Sequence, residues 1–279
     1  MSQILEIDLE HRSFNFKNIP LVKDYIGGIA VSYFLLNSYF ENDFKKRDYF
    51  SIVTGPLNGI FPYTSKCLLT SFIGGLRQSV YCGGSFGSNM NFNNILAIEI
   101  LGKSLLPVSL EISSNSVKFL ESQGEENLGG IPSRKSSIVF TDVLLEENYF
   151  NFGKNHLDNN LKKISLLFNG EYIKIDQDFY SDLTSEIFKR EKELTVSRGS
   201  FPSCLGCPMG CSKSKDIDDV NASLLSRCLI SCGYASSIYS DVNIVFSCFQ
   251  LLGLNYNHDF LEKFQYKVHD LINSVNKNF

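Results

Sequence analysis

The chain has 279 residues, of which 43% are hydrophobic and 20% are charged, and its formal net charge is −4. This length and composition predict a globular protein of one or two domains and exclude a disordered, collagen-like or coiled-coil chain. Basic residues form no cluster longer than the three at positions 45–47. The acidic balance therefore argues against nucleic acid and against an anionic membrane as binding partners.

The first eight residues alternate apolar and polar side chains and lack the basic and apolar regions of a secretion signal. The most apolar window, residues 26–36, is much shorter than the roughly 20 residues of a membrane-spanning helix, so we expect a buried helix there. The eight cysteines are then expected in a reducing compartment, where they serve metal binding or catalysis more often than disulfides. The sequence thus predicts a cytoplasmic protein without a membrane span.

Strand patterns dominate the N-terminal part of the chain. Leu5, Ile7 and Leu9 alternate with acidic residues, which predicts a half-buried strand. Apolar residues at helical intervals predict a helix over residues 21–40. Further short runs are typical of strands and cover residues 49–53, 66–69, 96–100, 108–112, 117–120, 137–143 and 164–168. Residues 113–116, Ser-Ser-Asn-Ser, predict a hairpin turn between two of them.

The pattern changes after Gly170, where a charged segment precedes a cysteine-rich turn, and three helical apolar stripes follow residue 219. We therefore predict an α+β fold in three parts. An N-terminal mixed β-sheet domain with packed helices covers residues 1–170. A linker or helix covers residues 171–203, and a cysteine loop leading into a short all-α segment covers residues 204–279.

Cys204, Cys207 and Cys211 lie in the run Cys-Leu-Gly-Cys-Pro-Met-Gly-Cys. Glycine lets a backbone curl around the sulfurs, and this spacing predicts three ligands of a [4Fe–4S] cluster. Zinc would require a second cysteine or histidine pair at ribbon spacing, which the sequence lacks. The alternative is three cysteines that only pack in a turn.

A cluster of this type needs a fourth ligand. Cys228, Cys232 and Cys248 follow downstream, but each lies on a helical stripe where a small apolar thiol commonly packs in the core. An exogenous thiolate or a cysteine from a partner would also complete the cluster.

Glycine pairs at residues 74–75 and 83–84, with Arg77 between them, punctuate the strand-rich region. Glycine amides can approach a phosphate closely. The spacing does not fit a dinucleotide-binding fingerprint, however, and turns between strands are the simpler interpretation. Residues 54–59, taken alone, also predict a turn.

Three segments, in this order, resemble the aldehyde ferredoxin oxidoreductase family of tungstopterin enzymes. Residues 54–59, Thr-Gly-Pro-Leu-Asn-Gly, are similar to the family's GPLTG turn, and residues 82–87, Cys-Gly-Gly-Ser-Phe-Gly, to its SGGYFG segment. The cysteine run at 204–211 resembles the CxxCPxGC motif, and residues 252–255 resemble the LGLD motif. The resemblance covers essentially the whole chain, as the N-terminal half of a family enzyme.

This resemblance implies an oxidoreductase that converts an aldehyde and water into a carboxylic acid. In the family, two pterins hold tungsten, and a tungstopterin or molybdopterin centre is implied here. Electrons leave through the [4Fe–4S] cluster to ferredoxin. By position, Lys66, Gly83 and Gly84 would lie near pterin phosphates, with Lys66 in the place of a family arginine. The expected partner is ferredoxin or a companion oxidoreductase subunit, in a homo- or hetero-oligomer.

The chain also departs from the family pattern. Family enzymes are much longer, and their second half carries further pterin contacts, the substrate channel and the fourth cluster cysteine. Residues 148–153 stand where the family has an arginine- and glycine-rich pterin segment, and they contain no arginine. We therefore expect a shortened member or one part of a split enzyme, inactive in isolation. The alternative is a non-catalytic paralogue that acts as an interaction or electron-transfer subunit.

Overall fold

The computed structural model describes residues 3–41, 47–121, 135–146, 150–155, 157–168, 174–193, 224–229 and 235–277. The strands in these ranges are β1 (Gln3–Asp8), β2 (Ser13–Lys17), β3 (Tyr49–Val53), β4 (Cys67–Ile73), β5 (Leu76–Cys82), β6 (Ile95–Leu101), β7 (Val108–Ser113), β8 (Ser116–Glu121), β9 (Lys135–Phe140), β10 (Val143–Glu146), β11 (Phe150–Lys154) and β12 (Leu161–Leu167). The α-helices are α1 (Gly28–Glu41), α2 (Phe86–Phe92), α3 (Gln177–Lys189), α4 (Leu224–Cys228), α5 (Ser236–Tyr239), α6 (Val242–Leu251) and α7 (His258–Asn276). Short 3₁₀ helices cover Pro20–Tyr25 and Glu191–Glu193.

The strands form two mixed sheets, which confirms the predicted α+β class. The first sheet has the order β2-β1-β6-β3-β4-β5, and the second has the order β11-β10-β9-β12-β7-β8. The pairs β1–β6 and β12–β7 are parallel, and the other neighbouring strands of the described chain are antiparallel. No helix of the described residues is both long and apolar enough to cross a membrane.

The first sheet is buried on both faces. Leu5, Ile7 and Leu9 belong to an apolar layer between the two sheets, as their alternation with acidic residues predicts. Helix α2 contributes Phe86 and Met90 to this layer. The opposite face of the first sheet supports a second core, which contains buried residues of α1 and of helices α3 to α7. The order of the layers is thus helices, first sheet, second sheet.

The expected helix over residues 21–40 is interrupted in the structure. The 3₁₀ helix Pro20–Tyr25 ends at Ile26, which has a φ of 61°, and α1 begins at Gly28, which has a φ of 52°. The positive φ angles of Ile26 and Gly28 are incompatible with a right-handed helix, so no continuous helix forms, although the apolar spacing continues through these residues. The buried helix expected over the most apolar window is confirmed, because α1 packs in the core.

Several elements were missed in the sequence. Strands β2 and β5 lie at the edges of the first sheet. In β2, Phe14 and Phe16 alternate with polar residues over only five positions, a short period that the prediction overlooked, whereas β5 has no clear two-residue period. The expected strand over residues 137–143 is divided into β9 and β10 around Thr141. The hairpin turn at residues 113–116 is confirmed, since Ser113 pairs with Ser116 between β7 and β8.

A close backbone contact fixes the position of the turn after β3. A Cβ atom added to Gly55 would lie 2.6 Å from the carbonyl carbon of Leu229 and 2.8 Å from the carbonyl oxygen of Cys228. A Cβ on Gly27 would lie 2.9 Å from the Cα of Gly55. The Gly28 amide donates to the Thr54 carbonyl at 3.0 Å. The start of α1, the turn and the end of α4 thus meet at two residues without side chains.

Polar residues line up across the helix-facing side of the first sheet. One residue from each strand stands at the same register level: Asn15, Glu6, Glu99, Ser51, Thr70 and Ser79. Residues opposite each other on neighbouring strands share a face, so this row runs beneath α1. Ser32 of α1 hydrogen bonds to Thr70 at 2.9 Å between their hydroxyl oxygens. We call these six strand residues the polar row.

The carboxyl group of Glu99, in the middle of this row, has an unusual pKa. Burial, followed by the nearby carboxylate of Glu6, raises the pKa of Glu99 from 4.5 to about 8, whereas Lys17 and a hydrogen bond with Tyr49 act in the opposite direction. Lys17 also forms an ion pair with Glu6. The folded protein therefore favours the protonated, neutral form of Glu99 over much of the neutral pH range.

We expect the substitution Gly55→Ala to lower the free energy of unfolding by about 2–3 kcal/mol, because the added methyl group meets backbone atoms that cannot rotate away. Urea denaturation measures this loss. Gly253→Ala is the matched control, since Gly253 has a φ of 66° with nothing within 4 Å of an added Cβ. Backbone strain alone should cost the control about 1 kcal/mol. Equal losses in the two variants would contradict the close contact.

The stability of the protein should depend on pH through Glu99. Its folded pKa lies above its unfolded value, so the unfolding free energy should fall as the pH rises from about 4.5 to about 8, and level off above that. Glu99→Gln should remove most of this fall, which is on the order of several kcal/mol for a pKa shift of this size. Urea midpoints measured across this range test the expectation, with exposed Glu186→Gln as the control. A wild-type slope retained in Glu99→Gln would assign the dependence to another group.

Candidate cofactor-binding site

The structure brings Lys66, Gly83 and Gly84 to one end of the first sheet. Lys66 directly precedes β4, and Gly83 directly follows β5. Because these strands are antiparallel and Cys67 pairs with Cys82, the residues that flank this pair lie at the same end. The Lys66 side chain is 1% exposed, and both glycines are buried. Gly84 has a φ of 96°, a conformation that favours glycine.

The turn after β3 closes over the same end of the sheet. The Asn58 side-chain amide donates to the Thr54 hydroxyl oxygen at 2.6 Å and to the Lys66 carbonyl at 2.5 Å. Asn58 is fully buried, and its side-chain oxygen accepts no hydrogen bond from the described residues. These bonds hold the Lys66 backbone against the turn, in a position set by the side chain of Asn58.

Helix α2 supports this turn from the other side. The Asn91 side-chain amide donates to the carbonyl oxygens of Gly55, at 2.8 Å, and Asn58, at 2.9 Å. A Cβ on Gly59 would lie 2.5 Å from the Cβ of Ser88, so the turn packs directly on the helix. Since α2 follows Gly84 by one residue, the turn and the glycine connection form one hydrogen-bonded unit.

The donor types at this end suit an anionic group. Lys66 supplies an ammonium group with three donors, and glycine connections leave main-chain amides accessible to a closely approaching oxyanion. A buried lysine requires acceptors around its charge, because an unpaired ammonium is strongly disfavoured in the interior. Lysine acts as a point charge and cannot form the two parallel bonds that arginine makes to a phosphate. The residues present therefore fit a phosphate group, with one fixed cation.

The three cysteines expected to bind a cluster, Cys204, Cys207 and Cys211, lie outside the described residues, as does Cys232. Cys228 and Cys248 are described, and both thiols are buried in the core beneath α1 and the C-terminal helices. Burial raises the pKa of Cys228 to about 12 and also raises that of Cys248. Both thiols pack among apolar residues, which is the ordinary setting of a structural core cysteine.

The sequence did not reveal the two asparagines that build this site. Asn58 was seen only as part of a turn, and Asn91 lies on a helix that was not predicted. The bonds from Asn91 reach residues 36 and 33 positions away in the chain. A tertiary contact of this kind has no local pattern in the sequence, although asparagines in and beside the glycine-rich segments were a usable signal.

Comparison with protein families finds one match in this chain. Residues 4–137 match the family described as "Aldehyde ferredoxin oxidoreductase, N-terminal domain". This range includes the turn, Lys66 and the glycine connection. No curated protein sequence matches the chain.

A solved structure has a similar fold. It is a chain of the active-site complex BamBC of benzoyl coenzyme A reductase in complex with 1,5-dienoyl-CoA, with a TM-score of 0.58 and 15% sequence identity. The similarity covers 68% of the present chain and 34% of that chain, so the present chain spans about a third of its length. The solved structure shows a similar fold, and the family match identifies residues 4–137 as an N-terminal domain of the aldehyde ferredoxin oxidoreductase family, a family of oxidoreductases.

Proposed function

We propose that the chain is the cofactor-base part of an oxidoreductase that acts on an aldehyde, either as a shortened member of the family or as one part of a split enzyme. One observation carries this proposal. The family-matched domain holds Lys66 and the Gly83–Gly84 connection at the same end of the first sheet, where the turn after β3 locks the lysine backbone.

Lys66 would neutralise a pterin phosphate, and the amides of Gly83 and Gly84 would donate to its oxygens. A bound tungstopterin or molybdopterin centre would supply the redox chemistry that converts an aldehyde into an acid. The role of this chain is to bind and orient, because Asn58 and Asn91 hold the turn and keep Lys66 in a dry position. Water exclusion strengthens the attraction between the ammonium and the phosphate.

Cys204, Cys207 and Cys211 would bind a [4Fe–4S] cluster that passes electrons to ferredoxin or to a companion subunit. The spacing of the cysteines supports this assignment. Because Cys228 packs in the apolar core, Cys232, an exogenous thiolate or a cysteine of the partner is the better fourth ligand. A companion subunit is further supported by the fold match, which is to a chain of a complex and covers a third of that chain.

A second candidate function is a non-catalytic paralogue that serves as an interaction or electron-transfer subunit. The absence of arginine from residues 148–153 and the lysine at position 66 favour it. The two candidates differ in whether a metal-pterin centre is bound once a companion subunit is present.

Anaerobic reconstitution with iron and sulfide should give the broad visible absorbance of an iron–sulfur cluster, with bound iron and acid-labile sulfide in equal amounts. Replacing any two of Cys204, Cys207 and Cys211 with serine should abolish it, because one remaining thiolate cannot hold the cluster. Cys248→Ser is the control and should retain the absorbance, since Cys248 lies in the core. Uptake of zinc alone by the wild type would overturn the assignment.

The isolated chain, purified from cells supplied with tungstate and molybdate, should contain no stoichiometric tungsten or molybdenum and should not oxidise aldehydes. Removal of single stabilising groups commonly lowers turnover by factors of about 10² to 10³, and several are missing here. Co-expression with a separately encoded second half should restore metal content and dye reduction. In that complex Lys66→Gln should lower the metal content several-fold, whereas exposed Lys103→Gln should not.

Two results would contradict this expectation. Turnover by the chain alone would show that the missing half is not needed. Full metal loading of the Lys66→Gln complex would remove the proposed role of the lysine. A metal-free complex with an intact cluster would support the paralogue instead.

A further inference from the structure

Cys67 and Cys82 stand directly opposite each other in the first sheet. Cys67 begins β4, Cys82 ends β5, and the two are register partners in an antiparallel pair with no bulge between them. Both are present as thiols, with exposed fractions of 0% and 1%. They belong to the apolar layer between the two sheets, so both sulfurs lie on the same face of the first sheet.

The hairpin that joins these strands sets the separation of the pair. Gly74 and Gly75 form a two-residue turn, so its closing pair, Ile73 and Leu76, is a hydrogen-bonded one. The two pair types alternate along the ladder, and the cysteines form the sixth pair after the closing one, which is again hydrogen-bonded. The Cα atoms of such pairs are about 5.5 Å apart, within the Cα range of a disulfide, but the Cβ atoms must approach each other by roughly 1 Å for the S–S bond to form.

A cavity lies two register positions along the strands from the two cysteines, which are not part of its lining. It has a volume of about 310 Å³, and Leu69 and Val80 are part of its lining. These two residues are register partners two positions along from the cysteines, and they therefore lie on the same face. The cavity also reaches the polar side chains of Gln78 and Lys154 at its rim. A small polar oxidant such as hydrogen peroxide fits this space without unfolding the sheet.

The edge position of β5 provides further access. This strand is the last of the first sheet, and the buried Gly83–Gly84 connection follows it. Edge strands open locally more easily than central ones, and glycine allows the backbone to adjust when a disulfide draws the strands together.

We propose that Cys67 and Cys82 are a redox-active dithiol that a peroxide oxidises to a cross-strand disulfide. One sulfur attacks a peroxide oxygen, the O–O bond breaks, and a sulfenic acid and water form. The second thiol then attacks the sulfenic sulfur, the S–S bond forms, and a second water leaves. Each sulfur loses one electron and one proton, and the peroxide accepts both electrons.

The disulfide would also restrain the candidate cofactor site. Lys66 and Gly83 are the immediate neighbours of the two cysteines, so a cross-link would hold their backbones at a fixed separation. This consequence rests on the proposed function, whereas formation of the disulfide does not.

Tryptic peptide mapping tests the proposal on the full chain. The sequence between the cysteines contains a single cleavage site, Arg77, so residues 67–77 and 78–103 are separate peptides when reduced. After brief peroxide treatment and alkylation of the remaining thiols, the two peptides should appear as one linked species that has lost two hydrogens. Dithiothreitol should separate them.

Cys67→Ser and Cys82→Ser should each abolish the linked species. Cys248 lies in the helix-side core, away from this pair, so the control variant Cys248→Ser should form the linked species as the wild type does. The wild-type result alone decides the proposal if a variant fails to fold. Peroxide treatment that leaves both peptides unlinked, or links either cysteine to residues 204–211, would overturn it. Loss of cofactor binding without any effect on this cross-link would count against the proposed function only.

Discussion

The approach of three backbone segments at Gly55 is the constraint on which the rest of the structure depends. The turn after β3 reaches the start of α1 and the end of α4 only because Gly27 and Gly55 present no side chains there. This contact joins the helical layer to the end of the first sheet. The carbonyl of Thr54 accepts from the first amide of α1, so the same turn also fixes where the helix begins. The candidate site is built on the other side of this turn.

The two faces of the first sheet have different chemistry. The face toward the second sheet is almost entirely apolar, and the cysteine pair fits there because a thiol behaves as a small hydrophobic group. The face toward α1 carries the polar row, where hydroxyls pair with each other and Glu99 is kept neutral by burial. Thr70 is tolerated beneath α1 because the Ser32 hydroxyl on the helix supplies a matching partner.

The cysteines divide into groups with different electrostatic settings. Cys228 and Cys248 lie in the helix-side core, where burial raises the pKa of both thiols and makes them inert. Cys67 and Cys82 are also buried, but they stand opposite each other where β4 pairs with the edge strand β5. In the proposed oxidation, the second thiol opposite the first distinguishes this pair from the other two described cysteines.

The sequence by itself determined the fold class, the central strands, the buried helix and the family, because each of these depends on local periodicity or on short motifs. Alternation in Leu5, Ile7 and Leu9 specified which face of β1 is buried. It could not reveal the edge strand β5, whose partly exposed side chains leave no clear period, while the short alternation of Phe14 and Phe16 in β2 was an unused signal.

Only the tertiary structure decided how the site is assembled. The pairing of β4 with β5 places Lys66 beside Gly83, and Asn91 reaches the turn from a distant part of the chain. The break at Ile26 and Gly28 is likewise tertiary, since the start of α1 must meet the Thr54 carbonyl. Register and long-range hydrogen bonds depend on which segments pack together, and no local pattern of residues carries that information.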